Sequence, residues 1–335
     1  MDTKRYWSRR EILAASLGLA ASACFPGKAY SSTEWPAAGT IKMIVPFSPG
    51  ASTDTLARFI SSGLSRRLNQ NIIVENKSGA GGVIGTRYVA NHAPDGYTLL
   101  FQTNPFVSAP MIVAGNNKLP YDPGKDFQPV GQIAAAPLLI VVSNDLKVTT
   151  LRGLLDAARV RPMSISYGSA GIGSINHMAV ELLSSMANIK LVHVPYAGLG
   201  PALTDLLGGR LQMITASLPS VLPHVSAGKI RGLAITGSKR SPLVPNIPTV
   251  SEAGVPGYQM DAWWGIFGPA GLAAPIYQRL NSELNALLAS PSIVEVLGRE
   301  GASPHPVNPD EFRRMILADV PRWKGLIHDA HISAG

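Results

Sequence analysis

One local pattern recurs in this chain and limits what it can fold into. An apolar run ends at a glycine-bearing break, a Ser or Thr follows, and a helical period begins. It first occurs where the run over 41–47 meets Pro46-Phe47-Ser48-Pro49-Gly50-Ala51-Ser52-Thr53-Asp54, followed by Leu56, Phe59, Ile60, Leu64 and Leu68. The run reads as a short buried strand ended by the prolines and the glycine. Ser52 or Thr53 stands where the N-cap is expected, with Asp54 in the first turn. The pattern returns at Tyr167-Gly168-Ser169-Ala170-Gly171-Ile172-Gly173-Ser174-Ile175-Asn176-His177, with Ser174 as the cap, and again at Val192-His193-Val194-Pro195-Tyr196-Ala197-Gly198. Units of this kind build parallel β–α–β layers. Each helix start leaves backbone N–H groups without partners at the positive end of a dipole, which favours an anion. An ordinary capped β–α turn accounts for the first stretch equally well.

The rest of the chain extends the alternation. A strand over 72–74 precedes the turn Ser78-Gly79-Ala80-Gly81-Gly82, then a helix over 84–93 and a strand over 97–101. That turn lacks the Gly-Lys-Ser/Thr of a phosphate-binding loop and the G-x-G-x-x-G spacing of a dinucleotide fold. Strands over 130–133 and 138–142, separated by Ala135-Ala136-Pro137, mark a first chain crossing. A helix is expected over 151–160, and further strands over 211–216 and 233–236. The Pro- and Gly-rich stretch 241–257 marks a second crossing, and 262–269 reads as a strand returning to the first domain. Helices are expected over 274–289, 291–299 and 309–330, the last opened by Asn308-Pro309-Asp310-Glu311. With 335 residues, 46% of them hydrophobic and 15% charged, the chain has enough apolar material for two packed domains. The division expected is 33–132 with 255–335 as one domain and 133–254 as the other.

Residues 1–32 read as a signal peptide. Lys4, Arg5, Arg9 and Arg10 precede an apolar run over 12–23, and Ala21-Ser22-Ala23 offers a small-residue cleavage site, with a site near Ser31 as the alternative. Ser8-Arg9-Arg10-Glu11-Ile12-Leu13 matches a twin-arginine pattern, so export to the periplasm by that route is expected over the general secretory route. Cys24, the only cysteine, follows Ala23 directly, which makes a lipid anchor the lesser alternative; Ala21 stands where such a signal usually has Leu. One cysteine cannot form an internal disulfide. The segment's five basic and two acidic side chains account for +3 of the formal +8, so +5 remains. The remaining basic residues are dispersed, in pairs such as Arg66-Arg67, and no basic stripe interleaved with aromatics points to nucleic acid.

Catalytic signatures are poor. Neither Ser169 nor Ser174 lies in a G-x-S-x-G elbow, because Tyr167 and Ile172 occupy the first glycine's place. His328 and His331 have no nearby Cys to make a zinc site, and no carboxylate pair lies in the glycine loops. His177 either touches a ligand or packs locally. No cofactor and no metal are expected.

The ordered motifs resemble the Bug-type receptors of tripartite tricarboxylate transporters, which are periplasmic solute-binding proteins. The first loop is similar to that family's P-F-x-P-G-G-x-x-D block, and Glu75 to Gly82, Ala93 to Leu100 and Leu119-Pro120-Tyr121-Asp122-Pro123 are similar to the next ones. Val194-Pro195-Tyr196, Lys239-Arg240-Ser241-Pro242, Ile247 to Gly254 and Trp263 to Gly271 continue the match in order. The resemblance implies an α/β, two-domain periplasmic-binding-protein fold (a Venus flytrap, type II-like) with two chain crossings. It implies a monomer that captures a small organic carboxylate for membrane permease subunits. Carried over residue by residue, it points to Ser48, Ala51, Ser52, Thr53 and Asp54 on one side of a ligand. Ser169, Ala170, Gly173, Ser174 and His177 stand on the other, with Tyr196 and Ser217 beside them. Ala51 replaces the family's usual second glycine. Thr215-Ala216-Ser217 lies where many members carry Asp, which favours a plain or aromatic carboxylate over an amino acid. An exported hydrolase or isomerase, or a ligand sensor, is the alternative on the same scaffold.

Overall fold

The apolar run after Thr40 forms β1 (Ile41–Val45), with Lys42 the one residue on the wet side. It lies between β2 (Ile72–Asn76) and β3 (Thr98–Thr103), parallel to both. The parallel pairs require crossovers, supplied by α1 (Ser52–Leu68) and α2 (Val83–Ala90). The computed structural model describes residues 35–37, 39–50, 52–115, 117–299 and 301–333, and of Ser52 only the backbone. Residues 39–335 form one compact unit, and 35–37 belong to a separate one before it. The signal segment, the twin-arginine pattern, Cys24 and Ala51 lie outside the described residues.

Two sheets share a single strand. In the first, β3 pairs antiparallel with β9 (Asp261–Pro269), and β9 pairs antiparallel with the first half of β4 (Phe127–Ser143). In the second, the rest of β4 pairs with β7 (Met213–Ser217) on one edge and β8 (Ile230–Ile235) on the other. There β5 (Ser166–Ser169) lies parallel to β7 and to β6 (Val192–Pro195). The expected break at Ala135-Ala136-Pro137 is therefore a correction: β4 is one strand of 17 residues. Pro137 pairs with Asp261 and Leu138 with Ser217, so the strand changes partners there without stopping. A proline is tolerated at that change because its missing N–H interrupts no continuous ladder.

Two helices escape the sequence reading: α3 (Pro105–Ala114) and α7 (Leu218–Ser226). Both carry internal prolines, Pro110 and Pro223, and α3 has no polar face. Pro110 cannot donate to the Phe106 carbonyl, and the buried Tyr121 hydroxyl donates to it instead, at 2.9 Å. Phe106 stacks on Phe267 of β9 with ring centroids 4.2 Å apart, and Phe127 and Phe312 complete that cluster. One face of α3 is thus fastened to the first sheet. The long helices α4 (Leu151–Val160), α5 (Ile175–Ala187), α8 (Ala274–Leu288), α9 (Pro291–Arg299) and α10 (Pro309–Asp329) fall near their expected places, with α6 (Leu199–Leu207) covering the second sheet. Thr150 caps α4 and Asn308 caps α10 through their side chains. A Cβ on Gly63 of α1 would stand 2.6 Å from Leu287 of α8, so glycine sets how closely these helices approach.

Candidate functional site

The first loop is held by one carboxylate. Helix α1 begins at Ser52, so Ser52 and Thr53 lie inside its first turn and not at the cap. Asp54 reaches back one turn and accepts from the Gly50 N–H at 2.9 Å. It also accepts from Arg58 Nε at 3.0 Å and from Asn76 Nδ2 at 2.8 Å, while the same Asn76 amide donates to the Phe47 carbonyl at 3.1 Å. Burial pushes the Asp54 carboxyl up, but the hydrogen bonds from Arg58, Gly50 and Asn76 outweigh it and hold the group below the usual carboxylate range. Thr53 and Asp54 are buried, and Ser48 is exposed on the loop.

The second loop is shaped by a buried polar cluster. Ser174 caps α5, accepting from the His177 N–H. The Gly173 N–H donates to His177 Nδ1 at 3.1 Å, which leaves the ring proton on Nε2, 3.8 Å from the Glu181 carboxylate. The rings of His177 and His193 stack 3.9 Å apart and 10° from parallel, with Tyr167 next in the stack at 4.9 Å from His193. Ser169 Oγ lies 2.7 Å from His193 Nε2 and accepts from the Gly171 N–H at 3.1 Å. The Tyr167 hydroxyl donates to Glu181. Burial lowers His177 to about 3, with the neighbouring His193 adding to the shift, and burial lowers His193 to about 4. Both rings are neutral at ordinary pH.

Between these loops lies a cleft of about 530 Å³. Phe47 and the glycine turn at Ala80 and Gly81 form part of one wall, and Pro105, Ala109, Ile112 and Val113 of α3 form the rest. Ala170, Ile172, Gly173 and Ser174 stand opposite. Gly173 has φ +77°, and a Cβ there would stand 2.7 Å from Ile112 Cδ1, so the walls meet at this point. The structure therefore brings Ala170, Gly173 and Ser174 to the cleft. Ser169 and His177 lie buried behind the loop and fix its shape. Tyr196 donates to Asp205 at 2.9 Å, and Ser217 Oγ bonds Ser220 Oγ at 2.7 Å; neither lines the cleft. The wall of α3 carried no signal in the sequence reading beyond its prolines. Phe47 and Ile172 stood in the quoted loops without being singled out. Among the described residues, no three His, Cys, Asp or Glu side chains gather to hold a metal, and no helix is long and apolar enough to cross a membrane.

The cleft is lined by apolar side chains along α3 and by Ser174 at the start of α5. No Lys or Arg lines it. The comparisons agree in kind. Residues 56–332 match the model of the tripartite tricarboxylate transporter family receptor. Protein BugT of Bordetella pertussis is 36% identical over 320 residues, 95% of each chain. R. palustris Rpa4515, solved with adipate, superposes with a TM-score of 0.76 at 37% identity, covering 90% of this chain and 99% of that one. MatC from Rhodopseudomonas palustris, solved with bound malate, gives 0.73 at 31% identity, covering 87% and 99%. The two sheets joined by β4 are the two-domain α/β fold of these binding proteins, and this chain belongs to the Bug-type family of tripartite tricarboxylate transporter receptors, whose members are periplasmic.

Proposed function

We propose that this chain captures a small organic carboxylate in the cleft and presents it to the permease subunits of a tripartite transporter. The observation that carries the reading is the start of α5. The N–H groups of Ile175 and Asn176 have no acceptor within the helix, and Ser174 and Gly173 border a cleft that no basic side chain lines. Adipate in Rpa4515 and malate in MatC support a carboxylate as the ligand class. In this reading Ser48 and Thr53, from the first loop and the start of α1, serve the ligand from the facing side. Hydrogen bonds to a charged acceptor contribute about 1.5–3 kcal/mol each. Ser174→Ala should then weaken binding roughly 10- to 100-fold in a calorimetric titration. Unchanged affinity in that variant would set the cradle aside.

Residues 33–132 and 255–335 act as one domain and 133–254 as the other, hinging where β4 changes partners and along 241–257. Small-angle scattering should show a smaller radius of gyration on binding. The protein works as a monomer, exported by the twin-arginine route and released from its signal near residue 23, with a lipid anchor at Cys24 the lesser alternative. Amino-terminal sequencing of exported protein tests this, and a retained Met1 would end it. One feature favours a hydrolase: the Ser169–His193 contact. Ser169 is fully buried and already bonded to Gly171 in both directions, so a substrate carbonyl has no approach to it.

A further inference from the structure

The two walls of the cleft are unlike in chemistry, and the difference narrows the ligand. On the α3 side, Pro105, Ala109, Ile112 and Val113 present only carbon, and Phe47 continues that surface. Across from them Ile172 presents an alkyl side chain too. Val113 and Ile172 are 43% and 45% exposed, so large apolar groups face the cleft from both walls. Such exposure is unfavourable unless something covers it. Ser174, at the start of α5, is the one polar side chain among those lining the cleft. A ligand with hydroxyl or carboxylate groups along its whole length would have to bury them against α3, where no donor receives them. The fastening of α3 leaves little room for a rearrangement that would supply one, since Phe106 stacks on Phe267 and Tyr121 closes the gap at Pro110.

Resting on the carboxylate reading above, we infer that the ligand is amphipathic: one carboxylate at the start of α5 and an unsubstituted alkyl or aryl body along Ala109, Ile112 and Val113. Compact hydroxylated or multiply charged acids are poor ligands. Helix α3 is the element that sets this preference.

Calorimetric titration with butyrate, hexanoate, octanoate, benzoate, malate and citrate tests it. From butyrate to octanoate, affinity should rise about fourfold per methylene, the factor that burial of one CH2 carries. Malate and citrate should bind at least tenfold more weakly than hexanoate. Val113→Asn, at an exposed position, should flatten the chain-length series and narrow the gap between hexanoate and malate; Ala109→Ser serves as an independent second variant. Malate or citrate binding more tightly than hexanoate, or a flat series in the unsubstituted protein, overturns this inference and leaves the carboxylate reading standing. Failure of every acid to bind overturns both.

Discussion

Acid should unfold this protein through the histidine stack behind the cleft, and the loss can be worked out. His177 and His193 are lowered by burial to about 3 and about 4, against 6.5 for a free imidazole. Their folded values lie below the unfolded ones, so the unfolded chain takes up the protons first. The stability they contribute is complete above about pH 6.5 and is lost as pH falls toward 4 and then 3. Between pH 7 and pH 5 each histidine removes about 1.9 kcal/mol, because the unfolded imidazole becomes almost fully charged while the folded one does not. The pair removes nearly 4 kcal/mol on the same reckoning, a large share of the ~5–15 kcal/mol typical of a folded protein. Glu181 works the other way: burial raises it, and it gains a proton in the folded state as pH falls, which offsets part of the loss. His177→Asn isolates one histidine and keeps an acceptor for the Gly173 N–H. Denaturant unfolding at pH 7 and pH 5 should show the variant less stable at pH 7 but losing about 1.9 kcal/mol less between the two. An equal loss in variant and parent would refute the reasoning, since the stack would then not be held neutral by the fold.

Three further outcomes follow from named contacts. Tyr121→Phe leaves the Phe106 carbonyl buried without a donor and should cost about 1–3 kcal/mol in denaturant unfolding; a neutral result would mean that water replaces the hydroxyl. Gly173→Ala places a methyl against Ile112 at a positive φ, so ligand affinity should fall at least tenfold and Ile112→Ala in the same chain should restore part of it; titration of both variants decides. Asp54→Ala frees the Gly50 N–H and the Asn76 amide together, and hydrogen exchange should show faster protection loss at residues 47–50 than in α8, with uniform change contradicting the role given to Asp54.

The sequence was legible where local chemistry agrees with tertiary structure. Helix α4 occupies the span its periodicity predicts, and Ser174 and Asn308 cap α5 and α10 as their side chains suit them to. It was illegible where a distant residue compensates for a local fault. Nothing near Pro110 says that Tyr121 will satisfy the carbonyl it orphans, so no helix is expected at α3 from the sequence, and the cleft wall at Ala109, Ile112 and Val113 is hidden with it. The same holds at Pro137, where a change of strand partners absorbs the missing N–H. The loop residues that reach the cleft, Ala170, Gly173 and Ser174, stood in a motif with its own local logic. His177 and Asp54 stood in such motifs too, yet two of their partners, His193 and Asn76, lie too far along the chain for spacing to reveal, whereas Glu181 lies one turn from His177 on α5.

A carboxylate recognised at the start of α5 by backbone donors and a hydroxyl should lose its hold when its charge is removed. Replacing the acid by its primary amide keeps size and shape, removes the charge and adds donors where the site offers donors. Titrations of hexanoate against hexanamide, benzoate against benzamide and adipate against adipamide compare the two directly. The account predicts saturable one-to-one binding of at least one acid, with its amide weaker by roughly 100-fold or more, as loss of about two charge-assisted hydrogen bonds implies. Amides that bind as tightly as their acids, or a set of acids none of which binds, would contradict it.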